Sequence, residues 1–389
     1  MTASLVAMLS RRLRLPYSVG LVSAGIVLAL LPLRVELSLS RELIFSVLLP
    51  PLVFEAALQL GWTEFRRELP LTAVLAFAGV ALAAAVVASG SHFLLGWSWI
   101  GAGLFGMLIA ATDPVSVIAA FRETRAEPRL ALIVEAESLL NDGAAAVGFV
   151  LLAALAEGAA PSLGGIVGSL AWTIAGGIAC GAAVAGLVLA VAGRTEDHLV
   201  EITLTTIAAY SSFLMAEDLH TSGVLATLTA GLVVGNLGWR GPISAGGRGH
   251  VLNFWEYAAF LANSFVFILI GGHEAHLGLA AFGGAAIVAI ALVLIGRAAA
   301  VYPLALLFCR SRLRLPAKYQ HVLVWGGLRG ALALALALGI PTTVPERHEI
   351  IVVAFAVVAF SIFAQGLTMP WLIRRLGLMR AAERTSGPI

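Results

Sequence analysis

The sequence predicts an all-α polytopic membrane protein with twelve full membrane spans and a partial first helix. Of the 389 residues, 60% are hydrophobic and only 12% are charged, whereas soluble domains carry about 25% charged residues. Apolar segments long enough to cross about 30 Å of hydrocarbon recur along the whole chain. Basic residues gather in alternate loops. These observations exclude a cytosolic globular protein, a disordered chain and a disulfide scaffold, and the two cysteines are expected to be free thiols.

The first apolar segment, Met1–Ser10, is about half as long as a spanning helix, so it counts as a partial span 1. The full spans, numbered 2 to 13, are predicted at Pro16–Leu33, Leu43–Leu60, Leu69–Ala88, Trp97–Phe121, Leu130–Leu155, Ile166–Ala192, Leu199–Met215, Ser222–Asn236, Val251–Ile270, Leu279–Phe308, His321–Leu338 and Ile350–Leu372.

The basic residues assign a sidedness to these spans. Most of them lie in loops that follow odd-numbered spans or after the last span, and only Arg34, Arg41 and Arg347 lie in loops on the other side. Cytoplasmic loops carry an excess of lysine and arginine. The pattern therefore predicts a multi-pass protein of the cell inner (plasma) membrane, with a cytoplasmic C-terminus and a short cytoplasmic tail over residues 377–389.

The order of the spans predicts an inverted repeat. A single membrane domain, residues 1–389, is expected to contain a first half over 11–155, a linking span over 166–192 and a second half over 199–376. With an odd number of spans between their starts, the halves enter the membrane from opposite sides, as in many transporters. Interruptions at matching positions support this interpretation. Span 5 contains Ala111-Thr112-Asp113-Pro114, and span 12 contains Gly326-Gly327-Leu328-Arg329-Gly330.

Ionisable side chains at membrane depth are candidates for function because their burial is costly. They are Glu55, Asp113, Glu135, Glu137, Asp142, Glu201, Glu256, Arg297 and Arg329. Three of the acids lie in span 6. At about 100° per residue, Asp142 and Ser138 share one helical face, and Glu137 and Asn141 share the adjacent face.

This oxygen-rich cluster indicates a hard cation as the ligand, because hard cations prefer oxygen donors. Asp142, Ser138 and Asn141 offer such oxygens, and unwound backbone around Thr112 adds carbonyls. A carboxylate in a partly dehydrated cavity can hold a proton or a cation, and the two then compete. If the site must hold either a proton or a cation before it becomes exposed on the opposite side of the membrane, the protein is an exchanger. For Glu201 and Glu256 a structural or interfacial position is the simpler interpretation.

The motifs resemble those of the sodium/proton antiporters, and more narrowly of the cation/proton antiporter 1 family. The resemblance rests on Ala111-Thr-Asp-Pro114 followed by Glu137-Ser-Leu-Leu-Asn-Asp142, and it extends from about Arg12 to Leu376. Further similar stretches are Leu49-Pro-Pro-Leu-Val-Phe-Glu55, Phe254-Trp-Glu256 through Asn263-Ser264, Gly296-Arg297 and Trp325-Gly-Gly-Leu-Arg-Gly330.

The resemblance implies a 13-helix fold in which two broken helices cross, and a homodimer. It implies that Asp142 carries the ion and the proton, and that Asn141 before it marks the electroneutral branch of the family. The ion site would be completed or bordered by Ser138, the Thr112 backbone and Glu55. Asp113 would lie next to these ligands and hold the two crossed broken helices. Glu137 would pair with Arg297, and Arg329 would neutralise carbonyls at the break in span 12.

The predicted function is therefore antiport of Na⁺ (or Li⁺ or K⁺) against H⁺ by alternating access, electroneutral and one for one. The expected partners are these ions, membrane lipid and a second copy of the chain. No cofactor or nucleic acid is expected, because no phosphate-binding loop and no basic–aromatic patch is present. Two alternatives remain open: a monovalent cation channel or uniporter, and an intramembrane aspartyl protease that would use Asp113 and Asp142 as its dyad.

Overall fold

The computed structural model describes residues 17–30, 42–158, 162–274 and 282–379. The predicted partial span Met1–Ser10 and most of the predicted tail lie outside these ranges. The described residues form helices and their connections, with a single isolated β-bridge between Ala126 and Met379. Within the same ranges, seven helices are long and apolar enough to cross a membrane. The prediction of an all-α, multi-pass membrane protein is confirmed at this level.

The helices are numbered here in chain order. They are α1 Tyr17–Leu30, α2 Leu43–Gln59, α3 Trp62–Leu95, α4 Trp99–Ala110, α5 Val115–Thr124, α6 Pro128–Ala156, α7 Leu163–Ala192, α8 His198–Asp218, α9 Gly223–Leu237, α10 Ala245–Glu274, α11 Gly283–Leu307, α12 Ala317–Trp325, α13 Ala331–Leu338 and α14 Arg347–Leu376.

Several helices extend beyond the predicted spans. The largest difference is α3, which has 34 residues where Leu69–Ala88 was predicted. Its first two turns contain charged residues that a hydropathy argument assigns to a loop, yet these residues form helix readily. The helix ends where Gly96 adopts a left-handed conformation, with φ of 73°. Hydropathy therefore located the apolar part of this helix and missed its polar end.

Predicted spans 5 and 12 are each divided into two helices. The backbone leaves the helical path over residues 111–114, between α4 and α5, and over residues 326–330, between α12 and α13. Pro114 cannot donate a backbone hydrogen bond, and three glycines loosen the second segment. The two interruptions touch, because the Asp113 N–H donates to the carbonyl of Leu328 at 2.8 Å.

The helices pack as two groups. Helices α3 to α6 and α11 to α14 contact mainly one another and form the core group; α1, α2 and α7 to α10 form the panel group. In the panel group α1 and α10 approach closely, because a Cβ on Gly25 or Gly271 would collide with the facing backbone of Ile268 or Val22. Small residues permit such close contact between membrane helices. Both interruptions belong to the core group.

Candidate functional site

A cavity of about 630 Å³ lies between the core group and the panel group. The core group contributes both interruptions and one face of α6, and the panel group contributes α2 and α10. Among the described residues that line it, no side chain is basic. The acidic ones are Glu55, Asp113, Glu123, Glu135, Asp142 and Glu256. A cavity whose charged side chains are all negative, within a low-dielectric surrounding, attracts cations.

The cavity reaches the protein surface on the side where the arginine-rich loops lie. Gln59 and Glu123, which are exposed, line this end. A second cavity of about 420 Å³ shares Gln59 and Glu135 with the first and continues past Arg125 and Pro128. Water and ions can therefore approach the centre of the bundle from one side.

Asp142 lies on α6 and faces the cavity. Its carboxylate has no hydrogen-bond donor or ion-pair partner among the described residues. A carboxylate at membrane depth is costly unless it is neutralised by a proton, a cation or a paired side chain. The arrangement leaves the oxygens of Asp142 open to whatever enters the cavity.

Ser138 and Thr112 stand beside Asp142. Ser138 lies one helical turn before Asp142, and its hydroxyl donates to the backbone carbonyl of Thr112 in the first interruption. Both residues line the cavity. The carbonyl keeps a second lone pair, and the Ser138 oxygen keeps its own. The structure therefore brings a carboxylate, a hydroxyl and an unwound carbonyl to one place, as the sequence predicted.

Asn141 does not join this set of cavity oxygens. It is fully buried and its amide faces away from the cavity. Its Oδ1 accepts from the Thr112 N–H at 3.2 Å, while its Nδ2 donates to the Thr112 hydroxyl at 2.6 Å and to Glu137 at 3.0 Å. These contacts support a positioning role for Asn141, which holds the unwound segment in place, and give no support to its predicted role as an ion ligand.

Glu137 and Arg297 form a buried ion pair. The guanidinium of Arg297, on α11, donates to both carboxylate oxygens of Glu137, each at 2.9 Å. The side chains of Arg297 and Glu137 are 7% and 2% exposed. Arg297 Nε also donates to the Leu323 carbonyl at 3.1 Å, near the end of α12. The pair thus ties α6 to α11 and to the second broken helix.

Arg329 neutralises backbone carbonyls at the break in span 5. The resemblance implied that it does so at the break in span 12. It lies in the second interruption and is 2% exposed. Its Nη1 donates to the carbonyls of Ala110 and Ala111, at 3.3 and 3.1 Å, at the end of α4. A cation at a helix C-terminus stabilises the unpaired carbonyls there. Arg297 likewise donates to the Leu323 carbonyl, near the second interruption. Backbone carbonyls at each interruption therefore accept hydrogen bonds from an arginine that lies outside that segment.

Asp113 and Glu55 both line the cavity, from opposite groups. Asp113 Oδ1 accepts from the Val115 N–H at 2.9 Å, at the start of α5. A Cβ on Gly330 would lie 2.5 Å from the Cβ of Asp113, so glycine is required where the interruptions meet. Glu55, on α2, accepts a hydrogen bond from Gln59 one turn later.

Glu201 and Glu256, for which the sequence favoured a structural or interfacial position, differ in their surroundings. Glu201 is buried and accepts from the Ser244 N–H at 2.7 Å, so it fixes the start of α10. Glu256, in contrast, lines the cavity together with Asn263. The sequence reasoning also missed Ser361, in a π-helical turn of α14, whose hydroxyl accepts from the Arg329 N–H at 3.0 Å. Its polar character inside an apolar span was the available signal.

Comparisons with known proteins agree with this arrangement. The profile of the transmembrane sodium/hydrogen exchanger family matches residues 1–375. The chain is 38% identical over 378 residues to the Na⁺/H⁺ antiporter ApNhaP of Aphanothece halophytica, covering 96% of this chain and 72% of the relative. It is 32% identical to the Na⁺/H⁺ antiporter NhaH of Halobacillus aidingensis, covering 96% and 95%.

A solved structure shows the same fold. The sodium proton antiporter MjNhaP1 of Methanocaldococcus jannaschii superposes with a TM-score of 0.76 at 19% identity, covering 96% of this chain and 95% of that one. The relatives are transporters and not enzymes, which argues against the protease alternative. By its match to the family profile and to these relatives, the chain belongs to the sodium/hydrogen exchanger family of transmembrane transporters.

Proposed function

We propose that this chain exchanges Na⁺ for H⁺ across the membrane, with Asp142 as the group that carries either ion. The observation that carries the proposal is the position of Asp142: its carboxylate faces an acidic cavity beside Ser138 and the unwound carbonyl of Thr112. Na⁺ prefers oxygen ligands of this kind, as other hard cations do. Family membership and antiporter relatives support the same ion pair of substrates.

The exchange follows from competition at one carboxylate. When Asp142 holds a proton, its charge is neutralised and a cation has no anionic ligand to bind. When a Na⁺ ion replaces the proton, the charge is neutralised again. The site is then electrically acceptable at membrane depth in either loaded state, whereas the empty, charged site is costly there. Transport of the loaded states alone gives an obligatory exchange.

Alternating access is supported by the position of the cavity at the boundary of the two groups. The cavity lies between α2 and α10 of the panel group and the two interruptions of the core group. Relative movement of the groups would close the present opening and expose Asp142 on the opposite side. Rigid movement of one half against the other around a fixed site is common in transporters with inverted repeats.

We place the described helices in a 13-helix, inverted-repeat architecture in which the two broken helices cross, with halves at 11–155 and 199–376. The contact between Asp113 and Leu328 and the division of the helices into two groups support this arrangement. A homodimer, a location in the inner (plasma) membrane, surrounding lipid and a cytoplasmic C-terminus complete the proposal, and no cofactor is needed.

The proposed stoichiometry is one Na⁺ for one H⁺. Glu137 is engaged by both terminal nitrogens of Arg297, and Asn141 has no proton to exchange. With Asp142 as the single carrier among the acids of the cavity, no net charge crosses in a cycle. Glu135 lines the same cavity, and a second titrating acid there would change the stoichiometry. Li⁺ and K⁺ are expected to compete with Na⁺ for the same oxygens.

Purified protein in sealed vesicles tests the function directly. With a preset pH gradient and a fluorescent pH reporter, addition of Na⁺ is expected to dissipate the gradient in the wild type. The variant Asp142→Asn, which keeps the shape and removes the charge, is expected to show none of this flux. Asp218→Asn, at the exposed end of α8, is the matched control and should exchange normally.

The same assay separates the alternatives. A channel or uniporter would produce an electrical current without obligatory proton movement. Substantial Na⁺-dependent proton flux in the Asp142→Asn variant would exclude Asp142 as the carrier. Absence of flux in both the wild type and the Asp218→Asn control, with every cation tried, would refute the exchange itself.

A further inference from the structure

The core group carries a dense cluster of positive charge at one end, on the side of the arginine-rich loops. Two stretches of chain form it: the connection from α11 into α12 and the last turn of α14. Neither residues 308–318 nor residues 367–379 include an acidic residue. We call the exposed basic side chains of these two stretches the basic face; they are Arg310, Arg312, Arg314, Lys318, Arg374 and Arg375.

The two stretches form one surface because both are held against the start of α6. The carbonyl of Arg314 accepts from Arg129 Nη1 at 3.2 Å, and the carbonyl of Leu378 accepts from the Glu127 N–H, also at 3.2 Å. Lys318 Nζ lies 3.9 Å from the point that a Cβ on Gly377 would occupy. The two stretches that carry the basic side chains therefore lie next to each other at the same end of the core group.

Most of this charge is not neutralised within the protein. Arg374 pairs with Glu123 at 2.9 Å, but both side chains are more than half exposed, so the pair is weak. Arg310, Arg312 and Lys318 form no ion pair with any described residue. On the same side of the panel group, the exposed arginines are fewer: Arg194, which Glu196 and Asp197 follow closely, Arg240 and Arg248. The excess positive charge is therefore larger on the core group.

Exposed apolar side chains border the basic face. Leu306 and Leu307 are 66% and 70% exposed, and Trp371 is 57% exposed. The guanidinium of Arg375 lies 5.0 Å from the ring centroid of Trp371. Tryptophan is enriched where hydrocarbon meets the lipid headgroups, and arginine stems extend toward the headgroups from there. The combination fits a surface that spans the boundary between lipid tails and phosphates.

We propose that the basic face binds the headgroups of anionic phospholipids in the adjoining leaflet. The positive-inside tendency accounts for the side on which basic residues lie. It does not account for their concentration in two stretches of the core group that contain no acidic residue. An acidic protein as partner would leave the exposed leucines and Trp371 unexplained. This proposal concerns a lipid site and stands independently of the ion that is exchanged.

The test compares two triple variants of the full chain. Arg310→Gln, Arg312→Gln and Lys318→Gln together remove three unpaired charges from the basic face. Arg194→Gln, Arg240→Gln and Arg248→Gln together are the control, since these exposed arginines lie on the panel group, on the same side. Binding of short-chain phosphatidylglycerol to the detergent-solubilised protein is measured by native mass spectrometry, with phosphatidylcholine as the neutral reference.

Each basic residue near an anionic surface contributes a factor of about 5 to binding. Because solvent and salt screen these exposed charges, the loss from three residues is smaller than the product of the three factors. The basic-face variant is therefore expected to bind phosphatidylglycerol at least about tenfold more weakly than the wild type. The panel variant should keep wild-type binding, and phosphatidylcholine should bind equally to all three proteins. Equal binding of the two lipids by the wild type would overturn the proposal. An equal loss in the panel variant would do the same, since any positive charge on that side would then suffice.

Discussion

The buried pair of Glu137 and Arg297 gives the sharpest prediction about stability. Both terminal guanidinium nitrogens bond the carboxylate at 2.9 Å, and both side chains are nearly inaccessible to solvent. Removing either partner leaves a buried charge without compensation, which costs roughly 3–5 kcal/mol. Glu137→Ala would leave Arg297 with the Leu323 carbonyl as its remaining described hydrogen-bond acceptor. Arg297→Ala would leave Glu137 with the amide of Asn141.

The assay is thermal unfolding of the detergent-solubilised protein, followed by tryptophan fluorescence. At about 2 °C for each kcal/mol, a loss of 3–5 kcal/mol lowers the Tm of either single variant by about 6–10 °C. The double variant removes both charges and should lose clearly less than the sum of the two single losses. Glu123→Ala and Arg374→Ala provide the control cycle, because that pair is more than half exposed and is worth about 0.2–1 kcal/mol.

Additive losses in the Glu137 and Arg297 cycle would refute the reasoning, because independent effects imply that the charges do not compensate one another. A coupling as small as that of the Glu123 and Arg374 control would refute it equally. A single variant as stable as the wild type would show that water or another group reaches the remaining charge.

Four further predictions concern transport. Na⁺-driven exchange should be insensitive to a clamped membrane potential, since a cycle moving one net charge would couple at about 2.3 kcal/mol per 100 mV; a steady current on Na⁺ addition would point to Glu135 as a second carrier. Lowering the pH should raise the apparent KM for Na⁺, because protons compete for Asp142, and a KM that stays constant over about three pH units in flux assays would contradict competition. Asn141→Ala should lower Na⁺ affinity about tenfold through displacement of Thr112, while retaining measurable exchange; unchanged affinity in cation-dependent flux would remove its positioning role. Gly330→Ala should reduce exchange strongly, because the new methyl group would lie 2.5 Å from the Cβ of Asp113, whereas Gly284→Ala, which meets nothing within 4 Å, should not.

The sequence by itself determined the membrane class, the approximate positions of most described helices and the two interruptions. These features depend on local properties: runs of apolar residues, a proline that cannot donate, and glycines that loosen a helix. The cluster on α6 was also readable, because helical spacing places Ser138 and Asp142 on one face whatever surrounds the helix. The limits of α3 were misjudged, because hydropathy reports the hydrocarbon boundary and a helix can continue beyond it.

Only the tertiary structure decided which polar groups meet. Asn141 is next to Asp142 in the chain, yet its amide bonds Thr112 and Glu137 and does not line the cavity. Arg329 bonds the end of α4, and Ser361 holds the Arg329 backbone. Glu256 joins the cavity from the panel group. Such partners can be far apart in the chain, and their distances depend on how helices pack. A periodic sequence pattern reports which face of a helix a residue occupies, but the neighbour across that face is fixed by packing alone.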